Sequence, residues 1–284
     1  MNMFDFSDIG EALRLTNAKI LRLKQPQLHM TETNPKKESP TGLPKLQKFL
    51  AHSGLCSRRK GETWIADGVV SVNGQIASLG CRVNPDKDVV KVNGKRVQAH
   101  TQSPLTLMVN KPKGFTCSNE DEHAERLIFD LLERKHKSIR LFCAGRLDVE
   151  SEGLVILTND GSLAHRLTHP SNEVKKRYQV ELNIPLAAEH LPLLKKGATV
   201  EDEFLRIDEL RAKNGKPVGS QRLELSLGHG KKREIRRIFL HFGYRIKKLR
   251  RVAIGGLALH KLPLGQYREL ERKEIGLLFP KEVS

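Results

Sequence analysis

No apolar stretch in this 284-residue chain approaches the roughly 20 residues that a bilayer-spanning helix needs, so no transmembrane segment is expected. No long basic amphipathic helix with bulky apolar residues stands out either, which counts against a membrane-surface protein. The opening "MNMFDFSDIGEALRL" carries acids early and lacks a continuous apolar core, unlike a signal peptide. Cysteine is scarce: Cys56, Cys81, Cys117 and Cys143 are scattered, with no Cys-x-x-Cys spacing. That pattern excludes the usual zinc and disulfide frameworks and leaves small buried thiols in a reducing cytoplasm as the expectation. No convincing Gly-x-Gly-x-x-Gly follows a strand, which counts against a dinucleotide-type cofactor site. Acids are outnumbered, 33 against 50 Lys plus Arg, for a formal net charge of +17. Such a balance points to a polyanion as partner, with nucleic acid first among candidates.

Four segments follow from the composition along the chain. Residues 1–43 read as a disordered or weakly helical extension, with a short helix over 7–24 followed by the polar, Pro-containing "QPQLHMTETNPKKESPTG". Met30 opens a stretch that itself reads like an ordinary amino terminus. Residues 44–98 read as a small unit of two helices and then short strands. Leu46, Phe49 and Leu50 share a helical face that ends at Gly54, and Ser57 is placed to cap a second helix stopped by Gly68. "VVSVNGQ" and "VVKVNGKRV" each run alternating valines into Asn-Gly, a hairpin signal. A linker over 99–106 leads to a larger unit, 107–280, in which strands and helices mix without a regular βαβ rhythm. The fold class expected is therefore α+β, with a mixed, mainly antiparallel sheet flanked by helices in the larger unit.

Two basic clusters stand out. Arg58, Arg59 and Lys60 sit at the start of the second helix, where cations oppose the helix dipole, so phosphate binding is a better motive than helix stability. Residues 231–251 hold ten Lys or Arg and one acid. Ile235, Ile238, Phe239 and Phe242 form an amphipathic stripe there. Helix geometry sets Arg236 beside that stripe and turns Arg233 and Arg237 away from it. Lys231, Lys232, Arg233 and Arg237 are candidates for a phosphate backbone. A half-buried Arg236 needs an anion, and Asp148 is the candidate. Asp148 lies in "GRLDVESEGLVILTND" (145–160), an acid-rich turn between two apolar, β-like runs.

That turn resembles the catalytic motif of the RsuA family of ribosomal RNA pseudouridine synthases, through Gly145, Arg146, Leu147, Asp148, Ser151, Gly153 and Leu154. "NKPKG" (110–114) resembles the family's Lys-Pro-x-Gly strand, and "KRY" (176–178) its Lys-x-Tyr. "REIRRI" (233–238) is similar to its Arg-Gln-Ile-Arg-Arg-Met, with Glu234 for Gln and Ile238 for Met. "LPLGQYREL" (262–270) resembles its closing motif. The unit over 44–98 resembles the S4 RNA-binding domain often fused ahead of the catalytic domain.

The resemblance implies isomerisation of uridine to pseudouridine in ribosomal RNA, on large-subunit (23S) RNA in preference to 16S, by a cytoplasmic monomer without cofactor or metal. The substrate would be ribosomal RNA or an assembly intermediate. Asp148 would be the nucleophile, towards ribose C1′ or base C6. Arg236 would pair with it and keep it ionised, and Tyr178 would stack on the flipped-out uracil. Arg146 would touch RNA or form a structural ion pair, and Lys176 would line the pocket. Lys111 is expected to support the fold or meet phosphate, His229 to be a loop residue without function, and Glu150 and Glu152 to be solvated. Two alternatives remain: a ribosome-binding or assembly protein that has lost catalysis, and an S4-fused methyltransferase, which the missing glycine-rich loop disfavours.

Overall fold

A computed structural model of the chain describes residues 42–98, 103–212 and 215–279. The helix expected over 7–24 and linker residues 99–102 lie outside them. No helix among the described residues is long and apolar enough to cross a membrane.

The smaller unit opens with α1 (Leu46–His52), which turns Leu46, Phe49 and Leu50 inward. Ser57 caps α2 (Arg58–Ala66): its hydroxyl accepts the Lys60 N–H at 3.1 Å. Strands β1 (Val70–Val72), β2 (Gln75–Ile76), β3 (Val90–Val92) and β4 (Lys95–Arg96) form an antiparallel sheet in the order β2-β1-β3-β4. Both Asn-Gly pairs take positive φ at both residues, 52° and 84° at Asn73-Gly74, 49° and 75° at Asn93-Gly94. That backbone matches the twist of a two-residue hairpin.

The larger unit is a nine-stranded mixed sheet. Its path runs β11 (Glu209–Ala212), β12 (Arg222–Leu227), β8 (Lys176–Leu182), β13 (Ile246–Ile254), β7 (Glu152–Thr158), β5 (Thr106–Lys111) and β15 (Tyr267–Glu269). Two short strands attach to it, β6 (Phe142–Cys143) to β7 and β14 (Leu257–Ala258) to β13. Only β13 and β7 pair in parallel among the described strands of this sheet. The α+β class is thus as expected. "LTLMV" and "GLVILT" read as unbroken apolar runs because both faces of β5 and β7 are buried. Leu107, Val109, Val155 and Leu157 enter one apolar cluster with Ile238 and Phe239 of the basic helix. Met108, Leu154 and Ile156 enter a second one, with Leu163, Ile254 and Leu278.

No strand is expected from sequence over 246–254, yet β13 lies at the centre of the sheet. Its cations mask the period of two: Leu249, Arg251 and Ala253 are all buried, while Lys247 and Lys248 are exposed.

Gly153 makes the parallel junction possible. It pairs with Arg251 and has φ 113°. A Cβ there would collide with the Arg251 carbonyl oxygen and stand 2.8 Å from the Arg251 nitrogen. Since both strands are backbone at that point, neither can yield cheaply. Gly153→Ala is expected to destabilise the fold by on the order of 3 kcal/mol, from forced positive φ plus overpacking. Urea unfolding of the purified variant measures this, and a loss below about 1 kcal/mol, the ordinary size of a point-mutant effect, would show that the junction tolerates a side chain.

Candidate active site

The turn between β6 and β7 carries Asp148. Its bend begins at Gly145, with φ 91°, and tightens where the Ser151 N–H donates to the Asp148 carbonyl at 3.0 Å. Leu147 points into the core and is 8% exposed. Asp148 is half-buried, and Arg146, Val149 and Glu150 are exposed. Small displacements of such a turn would move the carboxylate, so what grips its backbone matters.

Three cations do so, each from a different element. Arg251 of β13 donates from Nη1 to the Arg146 carbonyl at 3.2 Å and from Nε to the Leu154 carbonyl at 2.7 Å. Lys111, at the end of β5 and fully buried, donates from Nζ to the Pro112 carbonyl at 2.8 Å and approaches the Val149 carbonyl at 3.5 Å. The Gly114 N–H donates to the same Val149 carbonyl at 2.9 Å. Arg236, on the helix α3 (Glu234–His241), donates from Nη2 to the Glu150 carbonyl at 3.2 Å and to Ser151 Oγ at 3.3 Å.

The direct Arg236–Asp148 ion pair expected from sequence is not formed. The carboxylate nearest Arg236 belongs to Glu150, 3.7 Å from its Nε, and Arg233 reaches the same carboxylate at 3.1 Å. The reason lies in the turn, which presents the 150–151 peptide to the helix and leaves the Asp148 side chain unpaired among the described residues. Arg236 and Asp148 still feel one another: burial lowers the Arg236 pKa, while the Glu150 and Asp148 charges oppose that shift. Burial likewise lowers the Lys111 pKa, with the charges of Cys117 and Asp148 acting against it.

Glu150 and Glu152 are not simply solvated. Glu150 bridges Arg233 and Arg236, and Glu152 is buried with Lys248 at 2.9 Å. Arg237 does not point freely outward. The hairpin of β9 (Ala198–Val200) and β10 (Glu203–Leu205) claims it through Glu201 at 2.9 Å, Glu203 at 2.6 Å and the Val200 carbonyl at 2.7 Å. Lys231 donates to the Phe204 carbonyl at 2.6 Å. His229 is structural, 2.8 Å from the buried Glu234 carboxylate. Lys232 stays exposed, and so do Arg58, Arg59, Lys60 and Arg146, none of which forms a salt bridge among the described residues.

Tyr178 sits on β8 in register with Arg251. It is 8% exposed and belongs to the same apolar cluster as Leu147. It also lines a groove of about 330 Å³ with Arg177, Arg250 and His260. A second cavity, of about 580 Å³, is lined in part by His52, Arg58, Arg140 and His165. Asp148 lines neither.

Lys176, also on β8, is half-buried, and its pKa falls to about 8 through burial and, secondarily, the Arg251 charge. The ammonium is therefore lost near pH 8, well below the ordinary lysine range. If that ammonium meets phosphate, raising the pH from 7 to 9 removes one phosphate contact. The log–log salt slope of RNA binding should then flatten by roughly 0.7–0.9 in the wild type and not in Lys176→Met. Filter binding over a salt series at both pH values checks this. An equal pH effect in the two proteins would assign the change to another group.

Cys117 lies beneath the turn, where its Sγ accepts the Leu147 N–H at 3.5 Å. Its pKa is lowered, chiefly by the neighbouring Cys143 thiol and further by the Leu147 N–H and the Lys111 and Arg251 charges, against burial. The Cys143 thiol is pushed up by Cys117 and by burial. Among the described residues, no group of three or more His, Cys, Asp or Glu is placed to hold a metal.

The chain is similar to known proteins over most of its length. Residues 106–241 match the RNA pseudouridylate synthase family model, and residues 45–89 match the S4 domain. An uncharacterised RNA pseudouridine synthase of Mycobacterium bovis is 38% identical over 252 residues, covering 88% of this chain and 98% of that protein. The ribosomal large subunit pseudouridine synthase B of Pseudomonas aeruginosa is 36% identical over 253 residues, covering 88% of this chain and 65% of that one. A crystal structure of a pseudouridylate synthase superposes with a TM-score of 0.60 at 28% identity, covering 82% of this chain and 99% of that one.

Proposed function

This chain belongs to the RsuA-type RNA pseudouridine synthases with an S4 domain, and from that membership we propose that it isomerises a specific uridine of ribosomal RNA, in the large subunit, with Asp148 as the nucleophile. The observation that carries the assignment to Asp148 is the grip on its turn. Lys111, Arg236 and Arg251 fix the backbone on both sides of the residue and leave its carboxylate unpaired. A carboxylate spent on a salt bridge would have to break it before attacking. Here the positive charge is delivered to the peptide carbonyls instead.

The net reaction breaks the bond from ribose C1′ to uracil N1 and forms one from C1′ to C5. N1 gains a proton and C5 loses one, so no oxidant, phosphate energy or metal is needed. Asp148 attaches transiently to C1′ or to C6, which frees the base to turn. Tyr178 offers an aromatic face and a phenol to the turned base. Arg58, Arg59, Lys60, Arg146, Lys176 and Lys232 supply the contacts to the RNA backbone. Arg233 joins them by exchanging Glu150 for phosphate. The working form is a cytoplasmic monomer without cofactor.

The large-subunit preference rests on relatives whose names describe ribosomal large subunit synthases. Tritium release from 5-tritiated uridine tests the proposal, with 23S and 16S RNA supplied separately and no cofactor added. Release from 23S RNA alone is the expected result. Release from 16S alone would overturn the subunit assignment, and release from neither RNA would favour a binding protein.

A further inference from the structure

We propose that Arg251 is a positioning residue for catalysis: from inside the sheet it locks the turn that presents Asp148 to the strand that presents Tyr178. The inference rests on the reading of Asp148 as the reacting carboxylate. Arg251 is 4% exposed and makes no salt bridge with a carboxylate among the described residues. Burying a guanidinium in that way is costly, and an apolar side chain of similar volume would serve packing as well or better. Its presence there therefore calls for a task that an apolar side chain cannot perform.

The geometry supplies one. Arg251 stands in parallel register with Gly153 of β7 and in antiparallel register with Tyr178 of β8. Its planar fork spans two carbonyls, Leu154 inside the sheet and Arg146 in the turn, two residues before Asp148. Arg251 thus ties three places together: its backbone pairs with the strand of Tyr178, and its side chain holds the start of β7 and the peptide leading to Asp148. Lys111 and Arg236 secure the far side of the turn, at Val149 and Glu150. Arg251 alone of the three secures the near side. Its Nη2 is buried without an acceptor, so the guanidinium is not there to complete a saturated polar network. Two of its nitrogens set distances and the third is left over.

Two variants separate positioning from folding. Arg251→Lys keeps the charge and most of the stem, but an ammonium cannot reproduce the rigid fork. Arg251→Met keeps the apolar stem and donates nothing. The experiment measures the single-turnover rate of tritium release from ribosomal RNA, RNA affinity by filter binding, and urea unfolding for each protein. In both variants the rate should fall about 100-fold, the cost of a displacement of order 1 Å at a reacting group. RNA affinity should stay within about threefold, because uniform binding is untouched. Rates within about threefold of wild type in folded variants would overturn the proposal. So would weakened RNA binding at an unchanged rate, which would make Arg251 an RNA contact. If neither variant folds, Arg251 is a structural residue and the proposal falls. Inactive wild-type protein, by contrast, would strike at the reading of the chain as an active synthase and leave the fork's geometry as it stands.

Discussion

Asp148→Asn is expected to lower tritium release by at least about 10⁴-fold, the scale seen when an enzyme loses its nucleophile. The substitution is nearly isosteric, and the turn does not use the carboxylate for its own stability: the Asp148 side chain has neither a salt bridge nor a hydrogen bond among the described residues. Fold and RNA affinity should therefore survive, the latter within about threefold, since phosphate contacts dominate binding. An amide cannot form the transient bond that frees the base. Retained affinity with lost chemistry is the signature that sets an Asp148 nucleophile apart from an Asp148 RNA contact. Turnover within about tenfold of wild type would remove Asp148 from the mechanism, because a residual rate of that size is too high for a missing nucleophile.

Arg236→Ala is expected to cost both stability and rate. The guanidinium satisfies the Ile246 carbonyl at 3.5 Å, the Glu150 carbonyl at 3.2 Å and Ser151 Oγ at 3.3 Å. Its side chain is only 14% exposed. Leaving those acceptors without a donor should destabilise the fold by about 2 kcal/mol. Freeing the 150–151 peptide should slow isomerisation by a further 10²-fold or so, even in protein kept folded by cooling. Arg236→Lys should recover part of the stability and little of the rate, because a single ammonium cannot reach the helix side and the turn together. Unfolding curves and single-turnover rates on the same samples distinguish the two effects. A full rate in folded Arg236→Ala would mean that the far side of the turn needs no clamp.

Much of this site can be read in the sequence, for identifiable reasons. The GRLD turn, the Lys-Pro-Lys-Gly strand end and the Lys-x-Tyr strand are local patterns, and local patterns persist in the fold. The Asn-Gly hairpins and the Ser57 cap are legible for the same reason: each depends on a few adjacent residues. What was hidden depends on partners distant in sequence. Arg237 looks free on a helical wheel, but the β9–β10 hairpin, some 35 residues earlier, supplies two carboxylates. For Arg236 the wheel gives its face of the helix and not which peptide of the turn meets it, so the expected partner Asp148 gives way to Glu150.

The least legible element is β13. Five of its nine residues are Ile, Leu, Val or Ala, but four are cations, so in sequence the run blends into the basic cluster over 231–251. Two of those charges have partners within the protein, and only Arg251 is buried. Lys248 meets Glu152, and Arg251 meets two carbonyls. A signal was present: Arg251 falls between Leu249 and Ala253 on the buried face, where a purely RNA-binding arginine would not sit. Alternation through a charged run can mark a central strand whose cations serve the protein's own backbone.

Carbodiimide primer extension on rRNA from cells that lack the gene reads out whether this protein makes pseudouridine in ribosomal RNA through Asp148. Parallel strains would be complemented with wild-type protein or with Asp148→Asn. A single pseudouridine stop in 23S RNA should vanish on deletion, return with the wild type and stay absent with the variant. Its return with Asp148→Asn would remove Asp148 from the chemistry, and no lost stop in any ribosomal RNA would mean that the protein modifies none of them.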